Sequence, residues 1–185
     1  MKRLSILYLV LVMFLSCDSN GPDFELDSPK KSTSKYESEI RSNLELSWDA
    51  PVLWEKYKSS STMRLASYKV PYGDDYSSDF GDLSITVLNG FSGNLQANVN
   101  RWRRQLGLKP QPLDAIMNQA IIKTNDLGEY NIFKIINDDN IQSAFICAIM
   151  STANSTIFIK LNIKPEKIIE VEESFIDFCQ TFGAS

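Results

Sequence analysis

Histidine is absent from the 185 residues. That absence removes a Ser-His-Asp or Cys-His nucleophile, a histidine general base and every histidine-ligated metal site. Cysteine is scarce: there are three, Cys17, Cys147 and Cys179. The apolar stretch at the start, Leu4 to Leu15, has twelve residues. A bilayer span takes about 20, so this stretch is too short to cross one comfortably. What is present is ordinary for a folded protein. The chain is 43% hydrophobic, 23% charged and 11% aromatic, which excludes wholesale disorder. The length allows one domain or two very small ones.

Lys2 and Arg3 precede the apolar stretch, and the small residue Ser16 follows it. A basic start, a short apolar run and a small residue before a boundary describe a secretory signal. The boundary Phe14-Leu15-Ser16-Cys17 resembles the lipobox of bacterial lipoproteins, in which the cysteine becomes the lipidated first residue. Phe14 stands where the usual leucine stands, with Leu15 one place closer to the cysteine. The expectation is a lipoprotein signal over 1–16 and lipidation at Cys17. An ordinary secretory signal and an uncleaved membrane anchor are the alternatives. Loss of Lys2 and Arg3 would take the formal net charge from −4 to −6. An acidic protein gains no attraction to anionic lipid, so the several acyl chains would hold it to the membrane. The resemblance implies a bacterial cell-envelope protein, anchored to the inner or the outer membrane.

Residues 17–43 read as the lipidated cysteine and a flexible tether. Asp18 to Asn43 holds six serines, two prolines and one glycine among alternating charges. It cannot bury enough surface to offset chain entropy. A single globular domain is expected over 44–185. Leu44, Leu46 and Trp48 alternate, as a strand ending near Pro51 would. Met63 to Val70 also alternates and stops at Pro71. Pro71 to Asp82 reads as a polar turn, and Leu83 to Leu88 as a β-branched strand ending at Asn89-Gly90. Leu95, Val99, Trp102 and Leu106 then form one helical stripe. The spacing predicts a helix over Gly93 to Leu106, with Ser92 as N-cap and Gly107 just past the end. Ala120–Thr124 and Tyr130–Ile136 flank Asn125-Asp126-Leu127-Gly128 as a hairpin, and Asn137 to Asn140 is a turn. Ala144 to Met150 is apolar at every position, so both faces of that strand should be covered. Thr156 to Ile163 is another strand. Pro165 should open a second helix, with Ile168, Val171, Phe175, Phe178, Cys179 and Phe182 on its buried face.

The expected fold class is therefore α+β: a mostly antiparallel sheet of about six strands, with one mid-chain and one C-terminal helix packed on it. The order of elements is similar to the family containing the photosystem extrinsic protein PsbP and the nuclear-import factor Mog1. Met63-Arg64-Leu65-Ala66-Ser67-Tyr68, Gly81-Asp82-Leu83-Ser84, Leu88-Asn89-Gly90 and Ala97 to Leu108 resemble stretches of uncharacterised bacterial secreted proteins and lipoproteins. Asn98-Val99-Asn100-Arg101-Trp102 is the distinctive segment. This resemblance implies export and brings no activity.

Few residues are candidates for chemistry. Cys147 and Cys179 allow a disulfide in an oxidising compartment, or two unpaired core thiols. Their apolar surroundings favour the unpaired state and speak against a catalytic thiol. Asp74, Asp75, Asp79 and Asp82 crowd one segment and could offer hard oxygen ligands to Ca²⁺, though not at EF-hand spacing. A solvated acidic loop is the simpler reading. Arg101, Arg103, Arg104 and Lys109 form a basic cluster able to hold phosphate, carboxylate or an acidic glycan. It could equally pair with the acidic segment or face solvent. Asn98 and Gln105 flank the buried stripe and should bond to nearby backbone. Arg64 should be a partly buried arginine satisfied by a carboxylate or by carbonyls. Ser84 and Thr86 have no recognisable base, and Lys123 or Lys160 could act as bases only if desolvated.

No cofactor is expected. Nucleic acid is disfavoured by the acidic chain and by export. The leading expectation is a membrane-tethered lipoprotein with a non-enzymatic binding or scaffolding domain and an envelope partner. One alternative is an anion or small-ligand receptor using Arg101, Arg103 and Arg104. The other is a carboxylate- or lysine-based enzyme.

Overall fold

A computed structural model describes residues 46–73, 79–90 and 92–184. The signal segment, Cys17, the whole tether, Asp74 and Asp75 lie outside the described residues. No helix among the described residues is long and apolar enough to cross a membrane.

β1 (Leu46–Ser47), β2 (Glu55–Lys56), β3 (Ala66–Pro71) and β4 (Phe80–Asn89) come first. Helices α1 (Leu95–Gln105) and α2 (Leu113–Met117) follow. Then come β5 (Ile121–Asn125), β6 (Gly128–Ile135), β7 (Ala144–Ser151) and β8 (Ser155–Ile163). A short 3₁₀ turn, Pro165–Lys167, leads into α3 (Ile168–Gln180), and β9 (Gly183–Ala184) closes the chain. Among the described residues the main sheet has seven strands in the order β2-β3-β4-β8-β7-β6-β5, and β1 pairs with β9. Every pairing is antiparallel. The fold is α+β, as expected.

Several boundaries differ from the sequence reading, each for a local reason. The mid-chain helix begins at Leu95, because Gly93 sits at φ +84°, outside the helical region. The cap is Asn94, not Ser92: its side-chain oxygen accepts from the Ala97 N–H at 2.7 Å. The far end matches expectation. Gly107 has φ +78°, the Leu108 N–H donates to the Arg103 carbonyl and the Gly107 N–H to that of Arg104. Pro165 opens the 3₁₀ turn rather than the helix itself. β3 starts at Ala66, after a turn through Met63. β4 starts at Phe80, so Asp82 belongs to a strand and not to a loop. The five-residue α2 was not foreseen, since so short a helix shows no period.

The sheet separates two apolar layers. On one face α3 buries Val171, Phe175, Phe178 and Cys179 against Leu83, Ile85, Ile146 and Ile159. Each such buried side chain stabilises the fold by about 1.5–3 kcal/mol. On the other face Val99 and Trp102 of α1, with Leu106 just past its end and Ile116 of α2, cover Phe133, Phe145, Cys147, Ile149 and Phe158. β7 lies between both layers and is buried from Ala144 to Met150, as its unbroken apolar run requires. The first and last described segments meet separately. Trp48 stacks on Phe182 with ring centroids 5.3 Å apart and donates to the Tyr68 hydroxyl at 2.9 Å.

Candidate functional site

The second apolar layer does not extend across the whole sheet. Strand residues alternate between faces. Leu83, Ile85 and Val87 of β4 point to the α3 side. Asp82, Ser84, Thr86 and Leu88 therefore point to the α1 side. On β8 the same rule puts Phe158 and Lys160 there, because Ile157, Ile159 and Leu161 belong to the α3 layer. The apolar side chains under α1 come mainly from β6, β7 and β8. The β3–β4 end of that face is left with Ser67, Asp82, Ser84 and Thr86.

A cleft of about 260 Å³ lies where this polar strip meets α1. Arg64, Ser84 and Thr86 line its sheet side, Arg101 and Trp102 its helix side, and Lys160 reaches in from β8. A larger cleft of about 500 Å³ lies at the other end of the strands, among Leu46, Asn89, Leu127, Thr152 and Asn154. Its described lining carries no titratable side chain.

Each cation of the smaller cleft is held differently. Arg64 grips Asp82 with both terminal nitrogens, at 2.8 Å each. The Tyr57 hydroxyl donates to the same carboxylate at 2.5 Å and accepts from Arg64 at 3.1 Å. Burial alone would raise the pKa of Asp82. The hydrogen bonds from Arg64 and Tyr57, and the guanidinium charge, outweigh it and hold the carboxyl below its usual range. The hydrogen bond to Asp82 correspondingly raises the pKa of Arg64.

Lys160 donates to the Gln105 side-chain oxygen at 2.9 Å, and its ammonium stands 4.1 Å from the centre of the Phe145 ring. Burial lowers its pKa, and the Arg64 charge pushes the same way, with Asp82 in partial opposition. Arg101 donates to the side-chain oxygen of Asn98. Asn98 is itself fixed, because its amide nitrogen donates to the carbonyls of Ser92 and Asn94 at 3.2 Å each. Among the described residues neither Lys160 nor Arg101 has a carboxylate in ion-pair contact.

The basic cluster read from the sequence is divided by the fold. Arg101 alone of the four lines the cleft. Arg103 donates to the Lys109 carbonyl at 2.9 Å and ties down the chain leaving α1; burial lowers its pKa. Arg104 and Lys109 face solvent. The acidic segment is divided as well. Asp82 pairs with Arg64, and Asp79 with Lys164 at 2.9 Å. No group of three potential ligands is placed to hold a metal ion among the described residues. Gln105 departs from expectation, since it bonds to Lys160 rather than to backbone. The convergence of Lys160 and Arg64 with Arg101 escaped the sequence reading. Lys160 and Arg64 lie 59 and 37 positions from Arg101 along the chain, and only the pairing of β3, β4 and β8, with α1 packed on the sheet, brings them together.

No protein-family model matches this chain, and no curated protein matches it. Solved structures resemble it at low identity. The solution structure of cyanobacterial PsbP (CyanoP) from Synechocystis sp. PCC 6803 is 15% identical, with a TM-score of 0.49 over 77% of this chain and 88% of that one. A Bacteroides thetaiotaomicron protein is 12% identical, with a TM-score of 0.42 over 76% of this chain; the match spans 45% of that protein. LpqN, involved in cell envelope biogenesis of Mycobacterium tuberculosis, is 8% identical, with a TM-score of 0.41 over 75% of this chain and 82% of that one. One of the three, CyanoP, carries the PsbP name that the order of elements resembles.

Proposed function

We propose that this chain is an exported, lipid-anchored protein of the bacterial cell envelope whose α+β domain is a non-catalytic binding module. Ser16-Cys17 after the short apolar stretch supports the anchor, and the serine-rich tether supports a domain held away from the bilayer. The observation that carries the binding reading is the open polar end of the α1 face. The apolar layer under α1 stops short of the β3–β4 end of the sheet and leaves here a cleft lined by Arg64, Arg101 and Lys160. Concave sites with a few convergent polar groups are where proteins take ligands. Asp82, the carboxylate beside the cleft, is held ionised by Arg64 and Tyr57, which suits a charge-balancing role better than proton transfer.

Two experiments test this. Cys17→Ala abolishes incorporation of labelled palmitate in cells; equal label in variant and parent refutes the anchor. A photo-crosslinking residue at Thr86 captures bound material in cells, and adding Arg101→Glu removes the capture. The same residue at Ile169, exposed on α3, captures nothing that depends on Arg101. Capture at Thr86 that is indifferent to Arg101→Glu would refute the binding face.

A further inference from the structure

Resting on the reading of this face as the binding face, we infer that the cleft holds a small organic oxyanion: one carboxylate or phosphate group on a compact apolar body. Charge is the first argument. Asp82 cancels Arg64, so Arg101 on the helix side and Lys160 on the sheet side leave two positive charges without a carboxylate partner among the described residues. Lys160 is held where burial penalises its charge. Its compensation is a neutral amide oxygen and an aromatic face. An anion entering between the helix and the sheet would supply the missing counter-charge in a partly desolvated place, where charge-assisted hydrogen bonds are strong.

Donor geometry is the second argument. Arg101, an exposed side chain, is directed by Asn98, which accepts from it and is anchored to two backbone carbonyls. The Thr86 hydroxyl on the floor has no protein partner among the described residues, and the Ser84 hydroxyl makes only a long bond, 3.3 Å, to the Lys160 carbonyl. Both are available to an oxyanion.

The apolar wall is the third. Trp102 meets Phe158 edge to face with centroids 6.1 Å apart, and Leu88 and Met63 continue this lining. A bare inorganic ion would leave that wall unused. Size then bounds the body. About 260 Å³ is just below the usual range for drug-sized ligands. A ring or a short chain fills it; a larger body would project into solvent.

The test titrates the full chain, kept in detergent, and follows the backbone and side-chain NMR signals of Thr86, Arg101 and Trp102. Phenylacetate and phenyl phosphate present the two forms of the oxyanion on one body. Inorganic phosphate and benzyl alcohol present the head and the body alone. At least one organic anion should give saturable shifts at all three residues, and the tighter-binding one identifies the head group. Both controls should bind at least roughly tenfold more weakly. Arg101→Glu should weaken the organic anion by a similar factor, whereas Arg104→Gln, outside the cleft, should not. If Arg101→Glu disturbs the spectrum globally, Arg101→Gln and Lys160→Met replace it. Absence of saturable shifts with both organic anions overturns the inference, as does equal binding of either control. If Arg101-dependent capture at Thr86 persists in cells while neither organic anion binds, the ligand class is wrong and the binding face stands. If both fail, both readings fall.

Discussion

Asn100 and Gln111 are joined by two reciprocal hydrogen bonds: the Asn100 amide nitrogen donates to the Gln111 carbonyl and the Gln111 N–H donates to the Asn100 oxygen, each at 2.8 Å. A buried side chain on α1 thus imitates a strand partner for an otherwise unpaired backbone segment. Gln96 adds a donor to the same carbonyl at 3.2 Å. This contact directs the chain after Gly107 back across α1 and places α2, whose Ile116 completes the second apolar layer.

Asn100→Ala should therefore destabilise the protein by about 2–3 kcal/mol, the worth of two hydrogen bonds plus a stranded backbone N–H. Asn100→Asp should cost at least as much, because it retains the acceptor but turns the donor into a second oxygen facing a carbonyl. Urea denaturation measures both. A loss below about 0.5 kcal/mol for Asn100→Ala would mean that the loop finds other partners.

Trp102→Ala should cost about 3–5 kcal/mol, the usual penalty for deleting a large core aromatic. Trp102 is 8% exposed and packs on Phe158. A loss under about 1 kcal/mol in chemical denaturation would contradict this packing.

Asp82 gives the stability a defined response to acid. Its folded pKa lies below the ordinary carboxylate value near 4. Its contribution is therefore complete above that ordinary value and is lost as the pH falls through the lower folded one. Both partners are partly exposed, with side chains at 24% and 35%, so the contribution is about 1 kcal/mol. Asp82→Asn should be less stable than the parent by that amount at neutral pH, and the difference should shrink below about pH 4. Stability curves that stay parallel through the acid limb would exclude this linkage.

Cys147 and Cys179 should be unreactive in the folded protein. Cys147 lies in the α1-side layer and Cys179 in the α3-side layer, and both thiols are free. Burial pushes both pKa values up, which suppresses the reactive thiolate. In the Cys17→Ala background, a thiol reagent at pH 8 should label neither residue natively and both in denaturant without reductant. Native labelling would show local opening. Failure to label in denaturant would show a disulfide.

Elements whose burial is one-sided or complete were legible in the sequence. The apolar run of β7 announced cover on both faces, because a half-wet strand must alternate. The stripe of α3 announced its buried residues, all of which are buried. Gly107 marked the end of α1 through its left-handed backbone. Where a start depended on competition between neighbouring caps, as with Ser92 and Asn94, spacing did not discriminate, because only the φ of Gly93 excludes the earlier start.

The basic cluster marks the other limit. Arg101, Arg103 and Arg104 lie within four residues, and proximity along the chain suggested a shared role. On a helix, however, neighbours diverge by about 100° per residue. Arg103 turned to a backbone carbonyl, Arg104 to solvent and Arg101 to the cleft. Ser84, Thr86 and Lys160 alternate with apolar residues just as solvent-facing positions do. By itself the sequence determined the longer strands, the two long helices and their buried sides, since those follow from periodicity within a few residues. Only the tertiary structure decided that α1 would cover β6 to β8 and leave the β4 strip open, because that choice depends on where Trp102 finds Phe158 across the sheet.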